Sequence, residues 1–321
     1  MGSVHAKVYS QLKQSDFAGV VDVDSAKAQK LARQYRVEAF DNCSKLLGKV
    51  DAVTLATPTV THLELAQTFI ENGIAVLVEK PLAANAEQAR QIVELAKQKN
   101  VLVAVGHSER CNPVVQAIKR LGIEPKFIEA VRVSPYPFRS TDISVVLDVM
   151  IHDIDIVLSL AASKVKKVDA VGLAVLDDKE DICNARLVFE NGCVANITAS
   201  RLALKTERKV RVFSRQAYLS VDYFKKTGTV IKAAPNIDVV EKIRQLKKKG
   251  ALGLLTTNWQ DLLHIEKLDI DDKEPLKVEQ EAFLAAVADK TKRPEVSADE
   301  GLAAMECAEM ILAAAKEHKW E

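Results

Sequence analysis

Between residues 4 and 105, short apolar runs alternate with stretches whose apolar side chains recur every three or four positions, a pattern that predicts βαβ units around a parallel sheet. The runs Phe17–Asp22, Asp51–Ala56, Ile74–Val78 and Val101–Val105 read as strands. Helices are predicted around Ala26, Leu31, Ala32 and Tyr35, around Leu63, Ala66, Phe69 and Ile70, and around Ile92, Val93, Leu95 and Ala96. Asn85 with Gln88 reads as a capping pair opening the third of these. The run from Ile74 to Val78 is apolar throughout, as expected of a strand buried on both faces, and it stops abruptly at Glu79-Lys80-Pro81.

After Asn112-Pro113 the rhythm changes. A short helical stretch gives way to extended runs without helices between most of them: Phe127–Val133, Val165–Leu176, Ile182–Phe189, Cys193–Ala199, Lys209–Phe213 and Ala217–Val221. Glu190-Asn191-Gly192 reads as a hairpin turn. The fold class expected is α/β, with a parallel N-terminal sheet followed by an α+β domain whose sheet is mostly antiparallel. The boundary is placed at residues 108/109, with the segment 109–321 forming the second domain. Ser297 with Glu300 opens a last helix, about 297–318, whose Leu302, Met305, Ile311 and Leu312 pack back towards the first domain. Lys247-Lys-Lys-Gly250 closes a charged helix and reads as a solvated face, with phosphate binding as the alternative.

Composition narrows the function classes. With 45 Lys and Arg against 44 Asp and Glu, the net charge of +1 gives no field for nucleic acid or an anionic membrane, so a small-molecule ligand is expected. The 5 cysteines are scattered without C-x-x-C spacing, which points to free thiols in a reducing cytoplasm and to no structural metal site. Neither a spanning run of ~18 apolar residues nor a secretion signal is seen.

Three constellations carry possible chemistry. Lys80 stands at the carboxyl end of an apolar strand, where open α/β sheets place ligands. There it either faces a partner or substrate, or reaches plainly into solvent. Asp148-x-x-x-His152 puts a carboxylate and an imidazole on one helical face, with Asp155 a turn further on. That face reads as a proton-transfer pair, a solvated stripe or a metal-ligand pair. Asp22 ends a strand about twenty residues after Gly2, the spacing between the last glycine and the acid of a dinucleotide fingerprint. The chain therefore opens at the third glycine of G-x-G-x-x-G, and the expectation is a longer reading frame that supplies the preceding strand. Thr57-Pro58-x-x-x-His62 follows the second strand and is either a loop facing a cofactor or an ordinary turn.

Together these residues resemble the glucose–fructose oxidoreductase, inositol dehydrogenase and rhizopine catabolism (Gfo/Idh/MocA) family, over nearly the whole chain. The resemblance implies a Rossmann domain that binds NAD, with NADP less favoured because Asp22 would repel a 2′-phosphate. It implies catalytic roles for Lys80 and His152 in proton handling and for Asp148 in orienting the imidazole. Gly2, Asp22, Thr57, Pro58, His62, Glu79 and Lys80 would line the dinucleotide. The stretch Gly106 to Pro113 and the arginines Arg201, Arg208 and Arg211 resemble the family's nucleotide-sugar dehydrogenases, those that oxidise the 3-hydroxyl of UDP-N-acetylglucosamine. Arg110, Asn112 and Arg201 would then bind substrate. Alternatives of other kinds are a dehydrogenase of free polyols such as inositol and a catalytically silent sugar- or nucleotide-binding protein. A homo-oligomer, dimer or tetramer, built through the C-terminal sheet is also implied.

Overall fold

In the computed structural model, which describes residues 1–136, 143–176, 178–233, 244, 248 and 263–318, the chain divides into two units. The first comprises Met1–Asn112, Val146–Ile156 and Lys273–Ala313; the second comprises Pro113–Val145, Val157–Asp272 and Ala314–Glu321. Two segments beyond residue 108 thus belong to the first unit, of which the sequence pattern suggested only the last helix. Of the run 247–250, Lys247, Lys249 and Gly250 lie outside the described residues.

In the first unit, β1 (Gly19–Val21) pairs in parallel with β2 (Glu38–Phe40), while β3 (Ala52–Leu55), β4 (Ala75–Glu79) and β5 (Val103–Gly106) form a parallel sheet in that order. Every residue of β4 is buried, which is what its unbroken apolar run requires. The connecting helices are α1 (Gly2–Tyr9), α2 (Ser25–Tyr35), α3 (His62–Glu71) and α4 (Ala86–Lys99). Asn85 caps α4 by accepting the Gln88 amide at 2.9 Å, and the Gln88 side chain reaches back to the amide of Ala84. The helix stops at Asn100, whose φ of 53° turns the chain left-handed, a conformation that Asn tolerates.

Helices from far along the sequence complete this core. A π-helical segment, Val146–Met150, runs on into α6 (Ile151–Ala161), while α5 (Pro113–Arg120) belongs to the second unit. Helix α7 (Pro275–Ala288) sets Phe283 against Ala75, Leu77 and Ala104, and Leu276 against Val8 and Leu12 of the N-terminal region. Burying Phe283 alone contributes roughly 1.5–3 kcal/mol. Helix α8 (Ala298–Glu317) opens with a full capping box: the Ser297 amide donates to Glu300 at 2.9 Å and the Glu300 amide to Ser297 Oγ at 3.3 Å. Gly301 lets α8 come so close to β5 that an added Cβ would collide with Val105.

In the second unit the described strands form one sheet in the order β13-β12-β11-β10-β6-β9-β8-β7. Their ranges are β6 (Phe127–Val133), β7 (Val165–Leu173), β8 (Ile182–Phe189), β9 (Val194–Ser200), β10 (Glu207–Phe213), β11 (Ala217–Asp222), β12 (Thr227–Ala233) and β13 (Leu263–Lys267). Only β6 and β9 pair in parallel; the other pairs are antiparallel. Cys183, Ala185, Leu187 and Phe189 of β8 alternate inward with its polar residues outward, the period-2 pattern of a sheet buried on one face. No described helix is long and apolar enough to cross a membrane.

Candidate active site

The apolar β4 delivers Glu79 and Lys80 to the carboxyl end of the parallel sheet, and a cis peptide bond joins Lys80 to Pro81. The Lys80 ammonium donates to the main-chain carbonyl of Asp148 at 2.8 Å and lies 3.2 Å from its Oδ1. This ion pair is partly open, with side-chain exposures of 20% for Lys80 and 29% for Asp148. Asp148 sits within the π-helical segment, a distortion that recurs at functional sites because it re-aims a turn of helix.

One turn on, His152 meets the edge of His107, with ring centroids 6.4 Å apart and planes at 87°. His107 follows β5 and is 1% exposed. Burial pushes its pKa below the ordinary histidine range; Asp155 opposes the shift, and the cationic Arg110 and Lys80 add to it. The structure thus gathers Lys80, Asp148, His107 and His152 at the ends of β4 and β5. Asp148 was expected to orient His152; here it grips Lys80 through both its carboxylate and its carbonyl.

Glu79 is 7% exposed and accepts two hydrogen bonds, at Oε1 from His5 Nε2 at 2.6 Å and at Oε2 from the Lys80 amide at 3.1 Å. A Cβ at residue 106 would stand 3.2 Å from the Glu79 Cα, so glycine there keeps β5 close to the turn. His62, 1% exposed, bridges Pro81 O at 3.0 Å and Thr57 O at 3.1 Å, tying together the loops that follow β3 and β4. Thr57 and Pro58 themselves are exposed at the carboxyl end of β3. Gly2 begins α1, 3.9 Å from Ala56 when given a Cβ. Asp22 follows β1 and accepts the Asp24 amide at Oδ1.

Two residues expected to bind substrate are paired inside the protein. Arg110, 2% exposed, binds Asp155 through Nε at 2.8 Å and through Nη2, and Glu300 through Nη1 at 3.1 Å. Arg201 is fully buried in the second unit, donating from Nε to Asp181 at 2.7 Å and from Nη1 to the Ile143 carbonyl at 2.9 Å. Buried guanidinium forks need carboxylates to offset their desolvation, and both arginines have found them inside the protein. Asn112 is 8% exposed. Three residues that the motifs did not single out, His5, Glu279 and Gln280, surround the turn, together with His107 from the stretch Gly106 to Pro113. Glu279 is the most unusual. Burial, then the nearby Glu79 and Asp155, hold its carboxyl well above the usual carboxylate range, and neither of its oxygens has a partner among the described residues.

Known proteins match this chain over most of its length. Residues 1–107 match the family described as "Oxidoreductase family, NAD-binding Rossmann fold", and residues 133–220 match its "GFO/IDH/MocA C-terminal domain". The UDP-N-acetylglucosamine 3-dehydrogenase of Acidithiobacillus ferrooxidans is 33% identical over 90% of this chain and 86% of its own length. The chain belongs to the Gfo/Idh/MocA family. The solved structure of that dehydrogenase superposes with a TM-score of 0.86, covering 98% of this chain and 94% of the other. An inositol 2-dehydrogenase of Rhizobium meliloti is 26% identical over 63% of this chain and 66% of its own. The fold is shared also with levoglucosan dehydrogenase in complex with NADH and levoglucosan, at a TM-score of 0.80 over 100% of this chain and 96% of that one, though only 17% of residues are identical. As a member of this family, the chain is an NAD(P)-dependent oxidoreductase acting on CH–OH groups.

Proposed function

We propose that the protein oxidises a sugar hydroxyl, that of C3 in a UDP-N-acetylhexosamine such as UDP-N-acetylglucosamine, with NAD as acceptor. The observation that carries this reading is the half-open Lys80–Asp148 pair at the carboxyl end of a buried parallel strand, beside His152. The similarity to a UDP-N-acetylglucosamine 3-dehydrogenase supports the choice of sugar.

The residues present fit a nicotinamide dinucleotide. Asp22, partly exposed after β1, has Oδ1 on a neighbouring amide; its carboxylate would accept from ribose hydroxyls, which favours NAD over NADP. Gly2, Thr57, Pro58 and Lys80 would line the cofactor, while the buried His62 and Glu79 hold the loops in shape. The nicotinamide, when bound, accepts a hydride from the carbon being oxidised.

Lys80 has three N–H donors, of which Asp148 engages two, leaving one for the substrate oxygen. That donor stabilises the alkoxide as charge develops on it. The His152 imidazole takes the hydroxyl proton. Asp148 keeps the ammonium aimed. Asn112 stays a candidate substrate contact, and Arg110 and Arg201, paired with carboxylates inside the protein, are read as framework.

The test is NADH formation by the purified protein with UDP-N-acetylglucosamine, free N-acetylglucosamine and myo-inositol. The expected result is turnover that depends on the UDP group. Turnover with myo-inositol alone would instead establish the polyol reading that the inositol dehydrogenase relatives favour. The 5 thiols accord with a cytoplasmic setting. An oligomer through the second unit's sheet is supported by the aromatic cluster of Phe127, Phe213 and Tyr218, of which Phe213 is 37% exposed.

A further inference from the structure

Beneath the Glu79-Lys80-Pro81 turn lies a chain of buried polar groups that the reaction as written does not use. His5 of α1, Glu79 of β4 and Gln280 of α7 are 3%, 7% and 0% exposed. Glu79 Oε1 is 2.6 Å from His5 Nε2, His5 Nδ1 is 2.9 Å from Gln280 Nε2, and Glu79 Oε2 accepts the Lys80 amide at 3.1 Å.

The direction of these bonds follows from chemistry. Gln280 Nε2 also lies 3.4 Å from the main-chain carbonyl of His5, which can only accept, so the amide nitrogen faces the ring. Nitrogen donates to Nδ1; a neutral ring accepting at Nδ1 carries its proton on Nε2 and therefore donates to Glu79. Glu279, one residue before Gln280, has its carboxyl raised well above the usual carboxylate range by burial and by the nearby Glu79 and Asp155.

We propose that Gln280 and His5 are positioning residues for Lys80. Gln280 locks the tautomer of His5, His5 pins one oxygen of Glu79, and the other oxygen pins the Lys80 backbone where the strand turns. The proposal rests on the reading of Lys80 given above. An amide displaced by about 1 Å would carry the ammonium off its substrate oxygen, an error that costs on the order of 100-fold in rate.

Mere packing by these side chains would predict something different, and two measurements separate the cases. The first is 15N NMR of the wild-type protein: the expected spectrum shows His5 protonated on Nε2 and bare on Nδ1, and an Nδ1–H tautomer overturns the proposal. The second compares His5→Leu with His5→Gln, whose amide nitrogen restores a donor near the Nε2 position. Expected is a fall in kcat of roughly 10- to 100-fold for His5→Leu, with KM for the sugar changed less than about twofold, and recovery of most of the loss in His5→Gln. Equal kcat in the two folded variants overturns the proposal; if His5→Leu does not fold, the wild-type spectrum still decides. Wild-type turnover by Lys80→Met would remove the catalytic reading while leaving the His5 tautomer intact, so the two failures are distinguishable.

Discussion

The two units each contain an ion pair between a strand-end residue and an aspartate, and the pairs are built oppositely. Lys80 and Asp148 keep 20% and 29% of their side-chain surface in contact with solvent, whereas Arg201 and Asp181 keep 1% and 0%. Lysine supplies rotatable donors that can be shared with an arriving oxygen; arginine supplies a planar fork whose geometry suits one carboxylate permanently. Asp181 is further held by the amides of Val175 and Leu176 at 2.9 and 2.8 Å. Burial by itself would raise its carboxyl, but those amides and Arg201 outweigh burial and bring it below the ordinary aspartate range. The difference teaches that charge in the sequence says little until its exposure is known: one pair is available for chemistry and the other is part of the frame.

The largest effect expected from breaking this contrast is on turnover. Lys80→Met should lower kcat by roughly 10²–10³-fold, the range of a lost oxyanion donor, while shifting stability by less than about 1 kcal/mol because the site is half-open. Steady-state kinetics beside urea unfolding checks both halves. Arg201→Met should do the reverse, costing about 3–5 kcal/mol by stranding Asp181 without its cation, a large share of the ~5–15 kcal/mol that holds a domain together. Adding Asp181→Leu should recover much of that loss, since a buried apolar pair is no worse than a buried ionic one. Measured in urea, a double variant as unstable as the single would show that geometry rather than charge dominates there. Asp148→Asn should cost roughly tenfold in kcat, because the main-chain carbonyl still holds Lys80 when the carboxylate charge is gone.

How much of this was legible in the residues follows the same line. The apolar run of β4, the capping pairs at Asn85 and Ser297 and the alternation along β8 are local signals, and the elements appear where they point. β6 and β8 occupy the ranges expected from pattern alone, Phe127–Val133 and Ile182–Phe189. β2, three residues long, is too short to show a period. Helix α7 was missed for a more instructive reason: its buried face runs through Leu276, Glu279, Gln280 and Phe283, so the apolar stripe is broken by the very polar groups that lie beneath the turn. Arg110 and Arg201 were read as substrate ligands because a sequence shows the guanidinium and not Asp155 or Asp181, 45 and 20 residues away, that meets it. Asp148 and His152 were legible as a pair by their spacing, but that argument assumed a regular α-helix, and the π-helical turn at Val146–Met150 sets Asp148 towards Lys80.

The smallest effect sharpens the comparison from the side of a carboxyl whose ionisation burial opposes. Glu279 is buried beside Glu79 and Asp155, and its folded-state pKa is raised. In the unfolded chain a glutamate ionises near pH 4.3, roughly. Below that pH both states hold the proton and Glu279 has no pH-linked effect on stability. Above it the unfolded state releases a proton that the folded state keeps, so stability declines with rising pH until the folded carboxyl itself ionises, with a slope of at most about 1.4 kcal/mol per pH unit. Glu279→Gln removes the titration while keeping the volume. The variant should therefore match the wild type at the acid end and exceed it increasingly towards neutral pH, the opposite trend to Asp181, whose depressed pKa contributes stability that is present above its unfolded value and lost as the pH falls. Urea midpoints for the wild type and Glu279→Gln across that range provide the check; parallel curves would mean that Glu279 is ionised in the folded protein, with a counter-charge close by.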